Sequence, residues 1–180
     1  MIRPICRMGN PILRKIAADV KIEDISSDSF NQLLSELREA MNHYGGIGIA
    51  APQIGVSKKV CIIELEGFNR YGQDINLPFT VFINPVIEVL DPAEKGYWEG
   101  CLSVPGLRGF VERAQNIRVS YLNEKAEKKT LNAEGFLATV VQHELDHLFG
   151  KLYIDHIKDP SLISYQEEYD EFILSKDTNE

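Results

Sequence analysis

Two histidines in the last quarter of the chain have the spacing of a metal site. His143 and His147 are four residues apart, and on a helix this spacing places both imidazoles on one face, one turn apart, where they can bind the same ion. Glu144 follows the first histidine and can reach a metal-bound water as a general base. The segment therefore predicts a mononuclear metal hydrolase.

Two histidines leave such a site incomplete, because a catalytic zinc-like site uses three protein ligands and keeps one position open. A metzincin-type protease needs a third histidine where this sequence has Tyr153, and His156 is out of register. A thermolysin-like protease would use a downstream glutamate, for which Glu167 and Glu168 are candidates. Cys101 is another candidate, because glycine before it and after it suits a turn that directs a thiolate at a metal.

The histidine pair lies in a segment with a helical pattern of apolar residues. Phe136 to Phe149 predicts a helix, with Gly150 at its C-cap. A second amphipathic helix is predicted within Ile25 to Tyr44, where Ser26 to Ser29 offers good capping residues. This helix is expected to stop at Gly45-Gly46, and both helices are expected to bury one face.

Strands are predicted for the middle of the chain. Val60 to Leu65 and Thr80 to Leu90 are rich in β-branched and apolar residues, and the connection Glu66 to Pro78 is expected to be a long loop. Gly45 to Gly55 is too rich in glycine, with Pro52, to form a regular helix. Shorter strands are expected over Gly109 to Glu112, Ile117 to Leu122 and Lys129 to Leu131.

This order of elements indicates an α+β fold. We expect mostly antiparallel β-sheets packed around a central metal-binding helix, with an N-terminal helix and a C-terminal helix. The length of 180 residues suits a single catalytic domain over residues 1–180.

Composition and charge exclude several classes of protein. The net charge of −8 and the pI of about 5.1 argue against nonspecific nucleic-acid binding and against docking on anionic membranes. The three cysteines are far apart and do not form a disulfide framework. Cys6 and Cys61 are expected to be buried packing residues, and His43 a surface or cap residue. The sequence shows no signal peptide and no apolar run that could span a bilayer, so a cytoplasmic protein is expected.

Three segments together resemble the peptide deformylase family. They are GIGIAAPQ over residues 46–53, EGCLS over residues 99–103 and QHELDH over residues 142–147. They occur in the family's order and at its separations, and the similarity spans nearly the whole chain. Ile49 is a conservative departure, because the family commonly has leucine there.

The resemblance implies removal of the N-formyl group from the initiator methionine of new proteins. It implies that Cys101, His143 and His147 bind one Fe²⁺, for which zinc or nickel can substitute. It also implies that Glu144 is the catalytic acid and base, and that the side chain of Gln53 and the backbone N–H of Leu102 bind the oxyanion. The resemblance also implies that Gly48 holds the backbone of the substrate and that Arg108 lies near the channel through which the substrate enters. The side chain of the substrate's methionine would be surrounded by Ile47, Tyr97, Phe136, Thr139 and Val140.

The implied partners are N-formylmethionyl peptides on nascent chains, and transient docking on the ribosome is expected. Binding to DNA or to a membrane is not expected. The expected location is the bacterial cytoplasm, and the alternative is that the protein comes from an organelle. Two competing interpretations stay open. The chain could be a zinc endopeptidase with a downstream glutamate ligand, or it could bind metal structurally through four protein ligands, with Glu144 idle.

Overall fold

The computed structural model of the protein describes residues 2–67 and 75–174. Within them the α-helices are α1 (Asp28–Tyr44), α2 (Gly135–Leu148) and α3 (Gln166–Tyr169), the last of which continues as a π-helical turn over Asp170–Leu174. The strands are β1 (Gly48–Ala50), β2 (Val60–Leu65), β3 (Leu77–Cys101), β4 (Val104–Leu122), β5 (Lys128–Glu134) and β6 (Ile163–Tyr165). Short 3-10 helices cover Pro11–Arg14, Ile22–Asp24, Ala51–Ile54, Tyr153–His156 and Pro160–Leu162.

Both long helices form where the sequence predicts them. Helix α1 begins at Asp28 because the side chain of Ser27 accepts a hydrogen bond from the N–H of Phe30, at 3.2 Å. It ends at Gly45, whose φ of 69° is the left-handed conformation of a helix C-cap. Helix α2 ends one residue before the expected boundary, and Gly150 follows it with a φ of 73°.

The strands form one antiparallel sheet in the order β1-β2-β3-β4-β5, and β6 pairs with a separate part of β4. Between them, β3 and β4 contribute the longest pairing, and irregularities in register let the two strands bend along their length. The α+β prediction is confirmed, with α2 packed on this sheet.

Strands β3 and β4 are longer than the sequence indicates. Gly109 to Glu112 and Ile117 to Leu122 were predicted as separate strands, but both belong to β4. The polar residues between them hid this continuity, because buried Arg113 interrupts the apolar alternation of a strand. The predicted loop Glu66 to Pro78 is also shorter at its end, since Leu77 and Pro78 belong to β3, and its residues 68–74 lie outside the described residues.

Strand β2 is buried between two layers of core. Cys61 and Ile63 pack with α2, and Val60 and Ile62 pack with α1. Side chains alternate across a strand, so a nearly continuous apolar run such as β2 is what a strand buried on both faces requires. The helices thereby cover opposite faces of the sheet, and α2 is fixed against the strands that carry the rest of the site.

The N-terminal segment is joined by hydrogen bonds to two of the segments that carry the family resemblance, residues 46–53 and residues 99–103. The N–H of Cys6 donates to the carbonyl of Gln53 at 2.7 Å, and the N–H of Met8 donates to that of Ser103 at 2.8 Å. Cys6 is half-exposed, so the prediction that it is buried is wrong, whereas Cys61 is buried as predicted. His43 is exposed near the end of α1, also as predicted.

No helix in the described parts of the chain is long and apolar enough to cross a bilayer.

Candidate active site

Helix α2 and the end of β3 bring together three side chains that could hold a metal ion. His143 and His147 lie one turn apart, with ring centroids 5.2 Å from each other. Sγ of Cys101 lies 3.4 Å from Nε2 of His147, and one ligand atom from each of the three residues lies within 4.8 Å of the others. Among the residues that the structure describes, no other group of His, Cys, Asp and Glu has this arrangement.

The electrostatics of this cluster favour metal binding. Burial alone raises the pKa of the Cys101 thiol, but the neighbouring His147 and His143 bring that pKa well below its usual value. The sulfur is therefore predisposed to be a thiolate, which is the form that binds metal. A thiolate and two imidazoles suit zinc or ferrous iron, and three protein donors leave one position open for reactants. The residues present thus fit the metal that the sequence predicts.

A buried ion-pair network orients His143. Its Nδ1 lies 2.7 Å from a carboxylate oxygen of Glu99, which leaves Nε2 to face the cluster. Arg113 donates two hydrogen bonds to Glu99, at 2.6 and 3.1 Å, and one to Asp146 at 2.7 Å. Arg113 thus forms ion pairs with both Glu99 and Asp146. The role of Glu99 was missed, although its position two residues before Cys101 was an available signal.

Glu144 is a buried carboxyl group that lines the same cavity as Cys101 and His143. Its side chain is 5% exposed, and burial raises the pKa of this carboxyl above its ordinary value. Its Oε2 has no hydrogen-bond partner among the described residues. The carboxylate packs directly on the backbone of Gly48, where an added Cβ would lie 2.6 Å from Oε1. Only glycine allows this approach.

The amide of Gln53 is held with its donor side toward the cluster. Its Oε1 accepts a hydrogen bond from the N–H of Ala50 at 2.8 Å. Its Nε2 donates to Oγ of Ser103 at 3.2 Å and lies 3.6 Å from Sγ of Cys101. The amide is thus both a brace for the glycine-rich loop and a donor directed at the cluster. Leu102, between the cysteine and the serine, is half-buried and lines the adjoining cavity.

A cavity of about 780 Å³ opens onto the cluster. Most of the residues predicted around a substrate line it, namely Ile47, Gly48, Arg108, Phe136, Thr139 and Val140. Gln53 and Leu102, which were predicted to bind the oxyanion, line it as well. Tyr97 differs from the expectation and does not line the cavity. It is 3% exposed, and its ring packs edge-on against Phe136, with 5.2 Å between ring centroids.

The mouth of the cavity contains residues that sequence patterns did not single out. Pro4, Ile5 and Arg7 of the N-terminal segment form part of the wall, and Gln166 of α3 forms another part. Arg108 lies on the wall with its Nε donating to Oε1 of Gln166 at 2.6 Å. These contacts join segments that are distant in sequence, so no local pattern could have shown them.

Comparisons with known proteins agree with this geometry. The family model for polypeptide deformylase matches residues 2–162. A peptide deformylase of Leptospira biflexa is 44% identical over 170 residues, which are 94% of this chain and 95% of that protein. Peptide deformylase 2 of Pseudomonas syringae pv. tomato is 42% identical over 167 residues, which are 93% of each chain.

Solved structures show the same likeness. The class I type b peptide deformylase of Acinetobacter baumannii with Met-Ala-Ser bound superposes with a TM-score of 0.80 and 38% identity, over 87% of this chain and 99% of that one. The peptide deformylase of Thermotoga maritima gives a TM-score of 0.76 and 35% identity, over 88% of this chain and 99% of that one. The match of the family model and the identity to these relatives confirm the resemblance, and the chain belongs to the peptide deformylase family.

Proposed function

We propose that this protein is a metal-dependent amidohydrolase that removes the N-formyl group from the N-terminal methionine of new proteins. The observation that carries the proposal is the Cys101–His143–His147 cluster beside Glu144, at a cavity that admits a peptide end. Residues 1–180 would form one catalytic domain. The family match supports this for residues 2–162.

The three cluster residues would hold one Fe²⁺, with zinc or nickel able to substitute. Such a metal supplies Lewis-acid activation of water and of the formyl carbonyl. Cysteine as a ligand supports iron as well as zinc, because thiolate is a soft donor. It also makes the site sensitive to oxidation. Peroxide should therefore inactivate the iron-loaded protein within hours, and an iron-loaded protein that stays fully active would contradict this assignment.

Each step of the hydrolysis has a residue suited to it. Glu144 would take a proton from the water that attacks the formyl carbon, and its raised pKa brings it closer to neutrality for this task. The amide of Gln53 and the N–H of Leu102 would donate hydrogen bonds to the oxyanion, and one such donor is typically worth about 3 kcal/mol. Glu144 would then pass its proton to the leaving nitrogen, which releases formate and a free amine.

The cavity wall suits a formylated methionine. Phe136, Thr139 and Val140 would surround its side chain, and Ile47, which is 46% exposed, would close the pocket at the mouth. Tyr97 would support Phe136 instead of touching the substrate. Gly48 would hold the peptide backbone and Arg108 would flank the channel. The complex of the A. baumannii enzyme with Met-Ala-Ser supports a peptide in this place.

The first test is formate release from a short formyl-methionyl peptide by anaerobically prepared Fe²⁺ protein. We expect fast release by the parent and near-loss in Glu144→Gln, with the N-acetyl analogue left intact, because a narrow site admits formyl and refuses a larger acyl group. Metal content of both proteins is the control. No release by a protein that holds stoichiometric metal would refute the proposed function.

The endopeptidase interpretation is not favoured, because Glu167 and Glu168 are exposed in α3 and do not belong to the cluster. Metal stoichiometry separates the two assignments. Cys101→Ala should lose metal, whereas the double variant Glu167→Ala/Glu168→Ala should keep it. The opposite pattern would restore the endopeptidase.

Nascent chains emerge at the ribosome, so transient docking there is part of the proposal. A cytoplasmic location is supported by the free thiols of Cys6, Cys61 and Cys101, which suit a reducing compartment.

A further inference from the structure

The mouth of the cavity carries positive charge on a protein whose net charge is −8. The charged side chains that line the cavity are basic at the mouth and acidic only in its interior, where Glu99 and Glu144 are buried. The charge of Glu99 is compensated by Arg113, which makes two hydrogen bonds to it. Arg7, which is exposed, and Arg108, which is half-buried, are the basic side chains at the mouth.

Arg7 is the more available of the two basic side chains. Within the described residues its guanidinium makes neither a hydrogen bond nor an ion pair, although most other arginines of the protein are paired. Its backbone is nevertheless fixed, because the N–H groups of its neighbours Cys6 and Met8 donate to carbonyls of Gln53 and Ser103. A rigid segment therefore presents an uncommitted cation beside the path of the substrate.

Arg108 borders the same opening from a different element. Its Nε donates to Gln166 at 2.6 Å, and its guanidinium covers Gly100, where an added Cβ would lie 2.3 Å from Nη1. Its planar group also lies 5.9 Å from the ring of Tyr169. Arg108 is thus held against the wall, while Arg7 can follow a ligand.

We propose that Arg7 is a specificity-determining residue that binds a carboxylate of the peptide beyond the formyl-methionine. The carboxylate belongs to an acidic side chain at one of the next residues, or to the C-terminus of a short peptide. The inference rests on the proposed function and adds a preference to it. An exposed ion pair is worth about 0.2–1 kcal/mol, which corresponds to a preference of about 1.5- to 5-fold in kcat/KM.

The test uses formyl-methionyl pentapeptide amides with Glu or Gln at the second, third or fourth residue. The parent should favour Glu by about 1.5- to 5-fold at one or more of these positions. Arg7→Gln should bring the ratio to one, and Arg7→Glu should invert it. A further pair, formyl-Met-Ala-Ser as acid and as amide, distinguishes a terminal carboxylate from a side chain. The preference should also shrink in about 0.5 M salt, which shortens the Debye length.

The matched control is Arg118→Gln, which removes the same charge from the exposed surface of β4. There, Nη1 of Arg118 lies 3.4 Å from Oε2 of Glu88. It should keep the preference of the parent. The inference is overturned if the parent shows no preference in any peptide pair, if Arg7→Gln keeps the ratio, or if Arg118→Gln lowers it equally. If every peptide releases formate but none with Glu is preferred over its Gln counterpart, the proposed role of Arg7 is refuted and the proposed function stands. Absence of release from any peptide refutes the proposed function with it.

Discussion

Replacing Gly48 by alanine should displace the catalytic base without removing it. The new Cβ would lie 2.6 Å from Oε1 of Glu144 and 2.7 Å from its Cδ and Cγ, so the carboxylate must move by about 0.8 Å to reach an ordinary contact of 3.4 Å. The φ of Gly48 is not positive, so the backbone accepts alanine. A misplacement of about 1 Å in an active site can reduce the rate about 100-fold. We therefore expect kcat to fall about 10- to 100-fold, or roughly 1.4–2.8 kcal/mol.

The assay is formate release under steady-state conditions, with metal content measured on the same samples. The loss should appear in kcat, because displacing the base reduces stabilisation of the transition state more than it reduces the affinity for the substrate. Gly46→Ala is the control in the same loop. Its Cβ would meet the end of the Leu102 side chain at 3.1 Å and the carbonyl of Gly48 at 3.2 Å, which small shifts can relieve.

The double variant Gly48→Ala/Glu144→Gln separates this effect from a direct effect on the substrate. If Gly48 acts through Glu144, alanine should add little once the carboxylate is gone, because coupled residues are not additive. The reasoning is refuted if Gly48→Ala keeps the kcat of the parent, or if it causes its full loss again in the Glu144→Gln background.

Three further predictions concern the metal and the stability of the fold. Glu99→Gln should weaken metal binding about 10- to 100-fold, because it alters the carboxylate that orients His143; unchanged affinity in a chelator competition would contradict this. Cys101→Ala should purify with far less than one metal per chain and remain folded by circular dichroism, and stoichiometric metal would remove the cysteine from the ligand set. Burial raises the pKa of Asp155, but the hydrogen bonds from Arg14 and from the N–H of Leu152, together with the charges of Arg14 and His156, lower that pKa below its ordinary value. The interactions of this carboxylate therefore stabilise the fold above the unfolded pKa of about 3.9, and this effect is lost as pH falls through the lower pKa of the folded state. Asp155→Asn should cost at most about 1 kcal/mol at pH 7, and the cost should shrink as the pH is lowered, measured by urea unfolding.

The motif-bearing helix could be predicted from the sequence almost to the residue. The spacing of His143 and His147 defines a helix face, and a glycine with positive φ follows the helix as expected. Local rules were sufficient here because both signals lie within one element. The ligand set needed more, since Cys101 is far away in sequence, and only the resemblance favoured it over Glu167 or Glu168.

The extent of β4 could not be predicted for a physical reason. Arg113 occupies an interior position of this strand, with a side chain that is 4% exposed. A buried arginine is stable only because Glu99 and Asp146 compensate its charge, and neither partner is a neighbour in sequence. The alternation of apolar residues therefore appears broken where the strand continues. The same long-range contacts explain why the role of Glu99 was missed.

The backbone bonds from Cys6 to Gln53 and from Met8 to Ser103 have a consequence for how the protein folds. The site is assembled from a segment near residue 7, a loop near residue 53, a strand end at Cys101 and a helix at His143. Contacts of such large sequence separation form late and slow the folding of a chain. No early fragment of a growing chain can therefore hold a working site, and a molecule can become active only after its chain has been synthesised at least through α2 and has folded.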